Sequence, residues 1–173
     1  MGNCSCFGGK LIAHEEIETL RLLESPVGKH FQQYSAQMNP TLKQVFETIL
    51  RGQARRIHSL SISNSKLQDI DYRGLCLALS ELGHLGELQL TNNSLGVNGV
   101  RALVSSSSRL DSLTRLVLTD NPFGDSGLDV LCLSLEYMEN LQCLDLSSNA
   151  LTPKCLPAPT NSLNTSAACT AST

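Results

Sequence analysis

Apolar residues recur in a fixed order along the middle of the chain, in the pattern L-x-x-L-x-L-x-x-N-x-L. In "LGELQLTNNSL", leucines at 85, 88, 90 and 95 surround Asn93. This spacing matches neither the 3.6-residue period of a helix nor the plain alternation of a strand. The segments "IHSLSISNSKL", "LTRLVLTDNPF" and "LQCLDLSSNAL" continue the pattern at a constant interval of 28 residues, from 57 to 151. Four copies without insertion or deletion predict a repeat architecture.

Each copy predicts a short strand with two different faces. Leu88 and Leu90 alternate with Glu87, Gln89 and Thr91, and successive side chains of a strand point to opposite sides. The apolar side is expected inside the stack of repeats. The polar side forms the exposed surface of the strands, which we call the concave face.

An asparagine marks the turn after the strand in three of the copies. A buried Asn amide can hydrogen-bond backbone groups that a turn leaves unpaired. Stacked copies are therefore expected to form a structural ladder of Asn93, Asn121 and Asn149. Ser65 holds this position in the first copy, so the ladder is expected to weaken at its N-terminal end.

The second half of each copy has helical spacing. After Gly127, apolar residues stand at 128, 131, 132 and 135, which is one face of a helix. The serine run at 105–108 predicts that the helix of the second copy is short, since serine forms helices poorly and adds no apolar bulk.

This pattern resembles the leucine-rich repeat. The 28-residue period with a full helix resembles the ribonuclease-inhibitor-like subclass, which also occurs in Ran GTPase-activating proteins, NOD-like receptors, and CARMIL and tropomodulin proteins. The resemblance covers residues 57–151 and implies an α/β solenoid of about four repeats, the last one incomplete. A curved parallel sheet would lie inside and helices outside, and such solenoids bind partners on the concave sheet.

The sequence divides into four predicted segments. An N-terminal segment, 1–38, carries an acylation motif and a short helix within 10–25. A capping helix follows in 39–56, where Asn39 and Pro40 favour a helix start, and residues 57–152 form the repeats. The uncharged, Pro-, Ser- and Thr-rich segment 153–173 is predicted to be disordered. Without a fourth helix, the last edge of the stack is expected to be weakly stable or covered by a partner.

Composition excludes several classes of function. Thirteen Lys and Arg residues and a net charge of −3 do not supply the basic face that nucleic-acid binding needs. The chain contains no run of 18 apolar residues, the length that a membrane-spanning helix needs. Its start does not have the form of a secretory signal. The seven cysteines are therefore expected to be reduced, with Cys76 and Cys132 buried as small apolar residues.

The first ten residues, "MGNCSCFGGK", suggest lipid attachment. Gly2 becomes N-terminal after removal of Met, and Cys4 and Cys6 lie where S-acylation accompanies a myristoylated glycine in Src-family kinases and G-protein α subunits. Cys6 stands where the myristoylation pattern usually has Ser or Thr. An unmodified start is the alternative. With two lipid chains the protein would lie on the cytoplasmic face of a membrane, and without them it would be cytoplasmic.

No motif indicates catalysis. The four histidines, His14, His30, His58 and His84, stand outside any recognisable nucleophile motif and are predicted to be solvated. The P-loop frame is absent. The sequence predicts a monomeric, non-enzymatic module for protein binding, with no catalytic residue, cofactor or metal and no nucleic-acid partner. Two alternatives are a GTPase regulator resembling Ran GTPase-activating proteins and a fragment of a CARMIL-like actin regulator.

The predicted protein-binding residues lie on the concave face. They offer few strong anchors, because binding hot spots are enriched in Trp, Tyr and Arg and only Arg115 belongs to these types. The predicted set is Glu87, Gln89, Thr91, Asn92, Arg115, Val117, Thr119, Asp120 and Asp145.

Overall fold

The described chain begins with a short antiparallel pair of strands. The computed structural model describes residues 5–7, 10–12, 21–135 and 137–152. Strand β1 (Ser5–Phe7) pairs with β2 (Lys10–Ile12). The helix predicted within 10–25 is therefore wrong for residues 10–12, whose backbone pairs with β1 instead. Residues 21–24 are helical, and the rest of that prediction lies outside the described residues.

A second sheet of four parallel strands forms the body of the molecule. Its strands are β3 (Ser59–Ser63), β4 (Glu87–Thr91), β5 (Arg115–Val117) and β6 (Cys143–Asp145), in the order β3-β4-β5-β6. Every pairing joins residues 28 positions apart, as in the row Leu60, Leu88, Leu116 and Leu144. The predicted α/β leucine-rich repeat solenoid is confirmed, and we call each strand–turn–helix unit a coil.

Helices connect successive strands on the other side of the coils. After helices α1 (Pro26–Tyr34) and α2 (Pro40–Leu50), these are α3 (Asp69–Glu81), α4 (Val97–Val104) and α5 (Gly124–Leu135). Single-turn 3-10 helices follow α2 at Ala54–Arg56 and α4 at Ser107–Arg109. Helix α4 has 8 residues against 13 in α3 and 12 in α5, which confirms the shortening predicted from the serine run.

The core is almost entirely aliphatic and lies between the strands and the helices. Leu88 and Leu90 of β4 are buried, and β3 alternates buried and exposed residues along its length. In the last coil, Leu144 and Leu146 are only partly buried, because among the described residues no further coil packs against them. The core thus thins toward the C-terminal edge of the sheet.

The prediction that Cys76 and Cys132 are both buried is wrong. Cys76 of α3 is partly buried, whereas Cys132 of α5, at the same repeat position two coils later, is exposed.

Two capped helices cover the first coil. Helix α2 begins after Asn39, whose Oδ1 accepts hydrogen bonds from the backbone N–H of Thr41 and Leu42. It buries the five apolar residues at 42, 45, 46, 49 and 50. Helix α1 was not predicted, although Ser25 caps it through a hydrogen bond from the N–H of Gly28 and Pro26 opens it. Both starts follow the preference for a polar N-cap followed by proline.

Asp71 joins these helices to the solenoid. Its carboxylate accepts from the backbone N–H of Asn39 at 2.8 Å and from that of Gln68 at 3.0 Å. The later coils have Gly99 and Gly127 at this position, where a Cβ atom would collide with a side chain of the preceding turn. The first coil therefore has aspartate instead of glycine at this position, because the Asp71 side chain binds the backbone at the start of capping helix α2.

The three ladder asparagines are buried and serve the coil that precedes each of them. Asn121 Oδ1 accepts from the backbone N–H of Asn93 and of Leu95, both at 3.0 Å, while its Nδ2 donates to the carbonyl of Leu90 at 2.6 Å. Asn149 Oδ1 accepts from the N–H of Asn121 in the same way. The turns of the first three coils are thus each completed by the asparagine side chain of the next coil.

This direction explains why serine is tolerated in the first coil. The N–H of Ser65 donates to Asn93 Oδ1 at 3.1 Å, so the first turn receives the same support as the later ones. An asparagine at 65 would serve a preceding coil, whereas the chain has capping helices there. The expected weakening of the ladder at its N-terminal end therefore does not affect the turn of the first coil.

The prediction that His30 is a solvated residue is wrong. Its side chain is 9% exposed, and its ring centroid lies 4.8 Å from that of Tyr34 and 5.8 Å from that of Phe46. The error follows from the missed helix α1, which turns His30 toward α2. His58 and His84 are exposed, as predicted, and His14 lies outside the described residues.

Burial makes His30 sensitive to pH. Its Nε2 is buried with no hydrogen-bond partner in the described structure. Burial lowers the pKa of His30 below its ordinary value of 6.5; a hydrogen bond to the backbone of Ile70 opposes this, as does the charge of Asp71, whereas Arg73 lowers the pKa further. The folded state therefore binds a proton less readily than the unfolded state.

Replacing Asn121 with alanine tests the ladder. The change leaves the buried N–H groups of Asn93 and Leu95 without acceptors, so we expect the free energy of unfolding to fall by about 3 kcal/mol. Denaturant unfolding followed by circular dichroism measures it. The exposed helical residue Asn98 provides the control, since Asn98→Ala should change stability by no more than about 0.5 kcal/mol. Equal effects of the two substitutions would contradict the structural role of the ladder.

A second prediction concerns the stability of the cap at acid pH. Because the pKa of His30 is lower in the folded state, its contribution to stability is present above pH 6.5 and is lost as the pH falls below that value. We expect the midpoint of thermal unfolding to decrease between about pH 7 and pH 5, and to decrease less in His30→Leu. His58→Leu is the matched control, because His58 is exposed. A His30→Leu variant with the full pH dependence would rule out this role.

Candidate functional site

An ion pair lies in the middle of the concave face. Arg115 Nε of β5 is 3.0 Å from Glu87 Oε1 of β4, and the two residues are direct neighbours in the strand register. Their side chains are 47% and 33% exposed, respectively. The pair is therefore held in a defined place while both groups stay accessible to a partner.

The ion pair is part of a row that crosses all four strands. Ser59 Oγ donates to Glu87 Oε2 at 3.4 Å, and Arg115 Nη1 donates to Cys143 Sγ at 3.3 Å. Gln89, two residues along β4, donates through Nε2 to Glu87 Oε1 at 2.8 Å. Glu87 thus accepts from both sides, which fixes its carboxylate beside the guanidinium. Cys143 was not among the predicted residues, although the 28-residue register places it next to Arg115.

The next row of the sheet ends in a fixed carboxylate. Asp145 Oδ1 accepts hydrogen bonds from the backbone N–H and the Oγ of Ser147, and Ser61 Oγ donates to Gln89 Oε1 at 3.3 Å. Val117 lies between Gln89 and Asp145 in the register but is only 7% exposed. The prediction that Val117 offers binding surface is wrong, because a short side chain flanked by two longer ones presents little area.

Backbone conformation accounts for two of the predicted binding residues. Asn92 and Asp120 adopt positive φ angles of 52° and 55°, a region that Asn and Asp enter more readily than most residues. Asn92 Nδ2 also donates to Asn64 Oδ1 at 2.7 Å. These side chains lie at the turn beside the concave face, and the positive φ angle that the turn requires accounts for their residue types.

Thr91 and Thr119, which are also predicted binding residues, are joined by a hydrogen bond of 3.0 Å between their hydroxyl groups.

These contacts bring together most of the predicted residues and leave charge at three places. Glu87 and Arg115 form the first, Asp145 forms the second, and the exposed Asp120 at the turn forms the third. Within the described ranges, no group of three or more His, Cys, Asp or Glu side chains is arranged to hold a metal ion. The arrangement offers hydrogen-bond donors and acceptors spaced along a sheet, which suits recognition of a polypeptide.

The predicted lipidation residues fall in the N-terminal part of the chain, most of which lies outside the described residues. Gly2 and Cys4 lie outside the described residues, as does the side chain of Cys6. In the part of the chain that the structure describes, no helix combines the length and apolar character needed to cross a bilayer.

Comparison with known families agrees with the geometry. The family model described as leucine-rich repeat matches residues 111–132 and 137–154, which contain the third and fourth strands of the solenoid sheet. These matches support a leucine-rich repeat protein, a class whose domains generally mediate protein–protein interactions. No curated protein matches the chain.

Proposed function

We propose that this chain is a non-enzymatic module that binds a protein partner on its concave face. The observation that carries the proposal is the Glu87–Arg115 pair, which is half-exposed, centrally placed and held in position by Ser59, Gln89 and Cys143. Exposed ion pairs contribute little to stability, about 0–1 kcal/mol. The ordered pair therefore contributes little to the stability of the fold, and we infer that its main role is to bind a partner.

Arg115 is the expected anchor of the interaction. Its guanidinium group presents several donors in a fixed plane and recognises carboxylates in a bidentate manner. The Asp145 carboxylate lies one strand away, on β6. A partner segment with an acidic group over Arg115 and a donor over Asp145 would complement both charges.

We further propose that the solenoid belongs to the ribonuclease-inhibitor-like subclass. The constant 28-residue register and the 12- and 13-residue helices of two coils support this assignment. No contact on the concave face favours the GTPase-regulator or the actin-regulator alternative, and both stay predictions of the resemblance. A cytoplasmic location is proposed on the sequence alone.

Affinity capture with variants of the full chain tests the concave face. We expect Arg115→Ala with Asp145→Ala to lower the recovery of specific partners from a lysate of the source cells by about tenfold, quantified by mass spectrometry. Arg101→Ala is the matched control, because Arg101 is an exposed arginine on the helix side. Arg115→Ala alone should change the free energy of unfolding by less than about 1 kcal/mol. Partners recovered equally with all variants would contradict the proposal.

Acylation of Gly2, Cys4 and Cys6 is the proposed means of membrane attachment. A single myristoyl chain binds membranes only marginally, so stable attachment requires a second lipid chain on a cysteine. We expect Gly2→Ala to abolish labelling by a myristate analogue in cells and to shift the protein from the membrane fraction to the supernatant. Cys4→Ser with Cys6→Ser should keep the myristate label but still release the protein. Unchanged labelling in Gly2→Ala would exclude this part of the proposal.

A further inference from the structure

The capping end of the molecule and the rest of the solenoid carry opposite charge. Residues 26–66, which comprise helices α1 and α2 and the first strand and turn, contain six basic residues and one acidic residue, Glu47. Residues 67–152 contain four basic and eleven acidic residues. The net charge therefore changes from positive to strongly negative along the stack of coils. A separation of this kind indicates a charged surface as a partner.

Five of the basic residues lie on the two capping helices and the turn that follows them, and we call this set the basic cap. Four of the five are exposed and Lys43 is partly exposed. They surround the side of α2 that faces away from the first coil, because α2 buries its apolar stripe on the other side. The basic cap consists of Lys29, Lys43, Arg51, Arg55 and Arg56.

The charge of the basic cap is not neutralised within the described structure. Arg51 Nη2 lies 3.9 Å from Glu47 Oε2, and the two side chains are 69% and 40% exposed. Such a long, exposed pair holds its partners weakly. Among the described residues, Arg55 and Arg56 form no ion pair. These guanidinium groups are therefore free to face a negatively charged partner.

We propose that the basic cap lies on the anionic phospholipid surface of a membrane. This inference rests on the proposed acylation and adds the folded surface that faces the lipid. Acyl chains on Gly2 and a cysteine would enter the bilayer, while the cap would contact the headgroups. Lys10 is the single basic residue among the first ten, so the positive charge would come from the folded cap. Each Lys or Arg near an anionic membrane raises the affinity about fivefold.

The opposite charge of the coils determines how the molecule would lie on the membrane. The acidic residues of 67–152 are repelled by anionic lipid, so the capping end would face the membrane and strand β6 would point away from it. Glu87 and Arg115 lie on the two middle strands of the sheet. The concave face would therefore stay accessible to a protein partner while the chain is attached to the membrane.

The aromatic residues of the cap argue against a nucleic acid as the occupant. Proteins that bind single-stranded nucleic acid combine positive charge with exposed aromatic side chains on which the bases stack. In the capping helices, Phe46 is buried, and Phe31 and Tyr34 are partly buried. Phe31 stacks on Phe46, so these rings serve the packing of α1 on α2. A surface of flexible basic side chains without stacking groups suits a diffuse layer of phospholipid headgroups.

A glutamate-rich segment of the same chain is the other candidate occupant. Glu15, Glu16 and Glu18 precede the cap in the sequence and lie outside the described residues. Counted together, residues 13–66 contain seven basic and five acidic residues. The positive charge of this end of the chain therefore exceeds what its own carboxylates neutralise.

Vesicle binding by the full chain tests the proposal. The chain is produced in bacteria without acylation, so that only the folded surface contributes. It is sedimented with vesicles of phosphatidylcholine alone or with about one third phosphatidylserine. We expect binding to the phosphatidylserine vesicles to be at least about tenfold tighter, and to be lost at about 0.5 M salt, where exposed charges are screened.

Two double variants locate the contact. Arg55→Gln with Arg56→Gln should weaken binding to the phosphatidylserine vesicles by at least about tenfold. Arg101→Gln with Arg109→Gln removes the same charge from exposed positions of the later coils and should weaken binding by less than about twofold. Circular dichroism of both variants verifies that they are folded.

Chemical modification of arginine provides a readout that needs no substitution. Phenylglyoxal reacts with accessible guanidinium groups, and mass spectrometry identifies the modified residues. We expect phosphatidylserine vesicles to slow the modification of Arg55 and Arg56 but not that of Arg101 and Arg109. This pattern would also demonstrate the orientation of the chain on the membrane.

Several results would overturn the proposal. Equal binding to both kinds of vesicle, or an equal loss in the two double variants, would show that the basic cap has no specific role. Protection of Arg101 and Arg109 would contradict the orientation. Tighter binding of a single-stranded RNA, weakened by the same cap variant, would assign the surface to a nucleic acid. Vesicle binding that appears only in Glu15→Gln with Glu16→Gln and Glu18→Gln would assign it to the chain's own segment.

Failure of this proposal can be told apart from failure of the proposed acylation. The vesicle measurements use a chain without lipid, so their outcome does not depend on whether Gly2 is myristoylated in cells. Myristate labelling of Gly2, in turn, does not depend on Arg55 or Arg56. A labelled chain whose unacylated form ignores anionic vesicles would keep the acylation and exclude the basic cap.

Discussion

The structure depends on the hydrogen bonds that each buried asparagine makes to the preceding coil. Asn93, Asn121 and Asn149 repeat at 28-residue intervals and accept from the backbone N–H groups of the preceding turn. A buried N–H without an acceptor costs about 1–3 kcal/mol, so the turn of one coil is satisfied only when the next coil is in place. This dependence fixes the register of the strands and therefore the rows of side chains on the concave face.

The same directionality makes the two ends of the solenoid different. At the N-terminal end the ladder has nothing to support, and Asp71 replaces the usual glycine to bind the backbone of Asn39 and hold the capping helices. At the other end, Asn149 supports Asn121, while Leu144 and Leu146 stay partly exposed. One end is closed by dedicated contacts. The other end leaves core residues of the last coil partly exposed.

The sequence predicts the structural features that recur in every coil, and it misses the features that occur at only one place in the chain. Strand register, buried leucines and ladder asparagines follow from the 28-residue pattern, because each copy is in the same surroundings. The burial of His30 depends on α1, a helix outside the pattern. The exposure of Cys132 depends on whether another helix packs beside it, and the burial of Val117 depends on the length of the neighbouring side chains. A pattern of residue types within one coil contains neither kind of information. On the concave face, the sequence identified Arg115 but not the row of contacts that orients it.

Hydrogen exchange of individual backbone amides tests the ladder most directly. The N–H groups of Ser65, Asn93, Leu95 and Asn121 lie in turns, where amides ordinarily exchange fast, yet all four donate to asparagine side chains of the next coil. We expect these four amides to exchange as slowly as those of β4, measured by nuclear magnetic resonance on the full chain. If they exchange at the rate of exposed turn amides while β4 stays protected, the coils are not held together by this ladder.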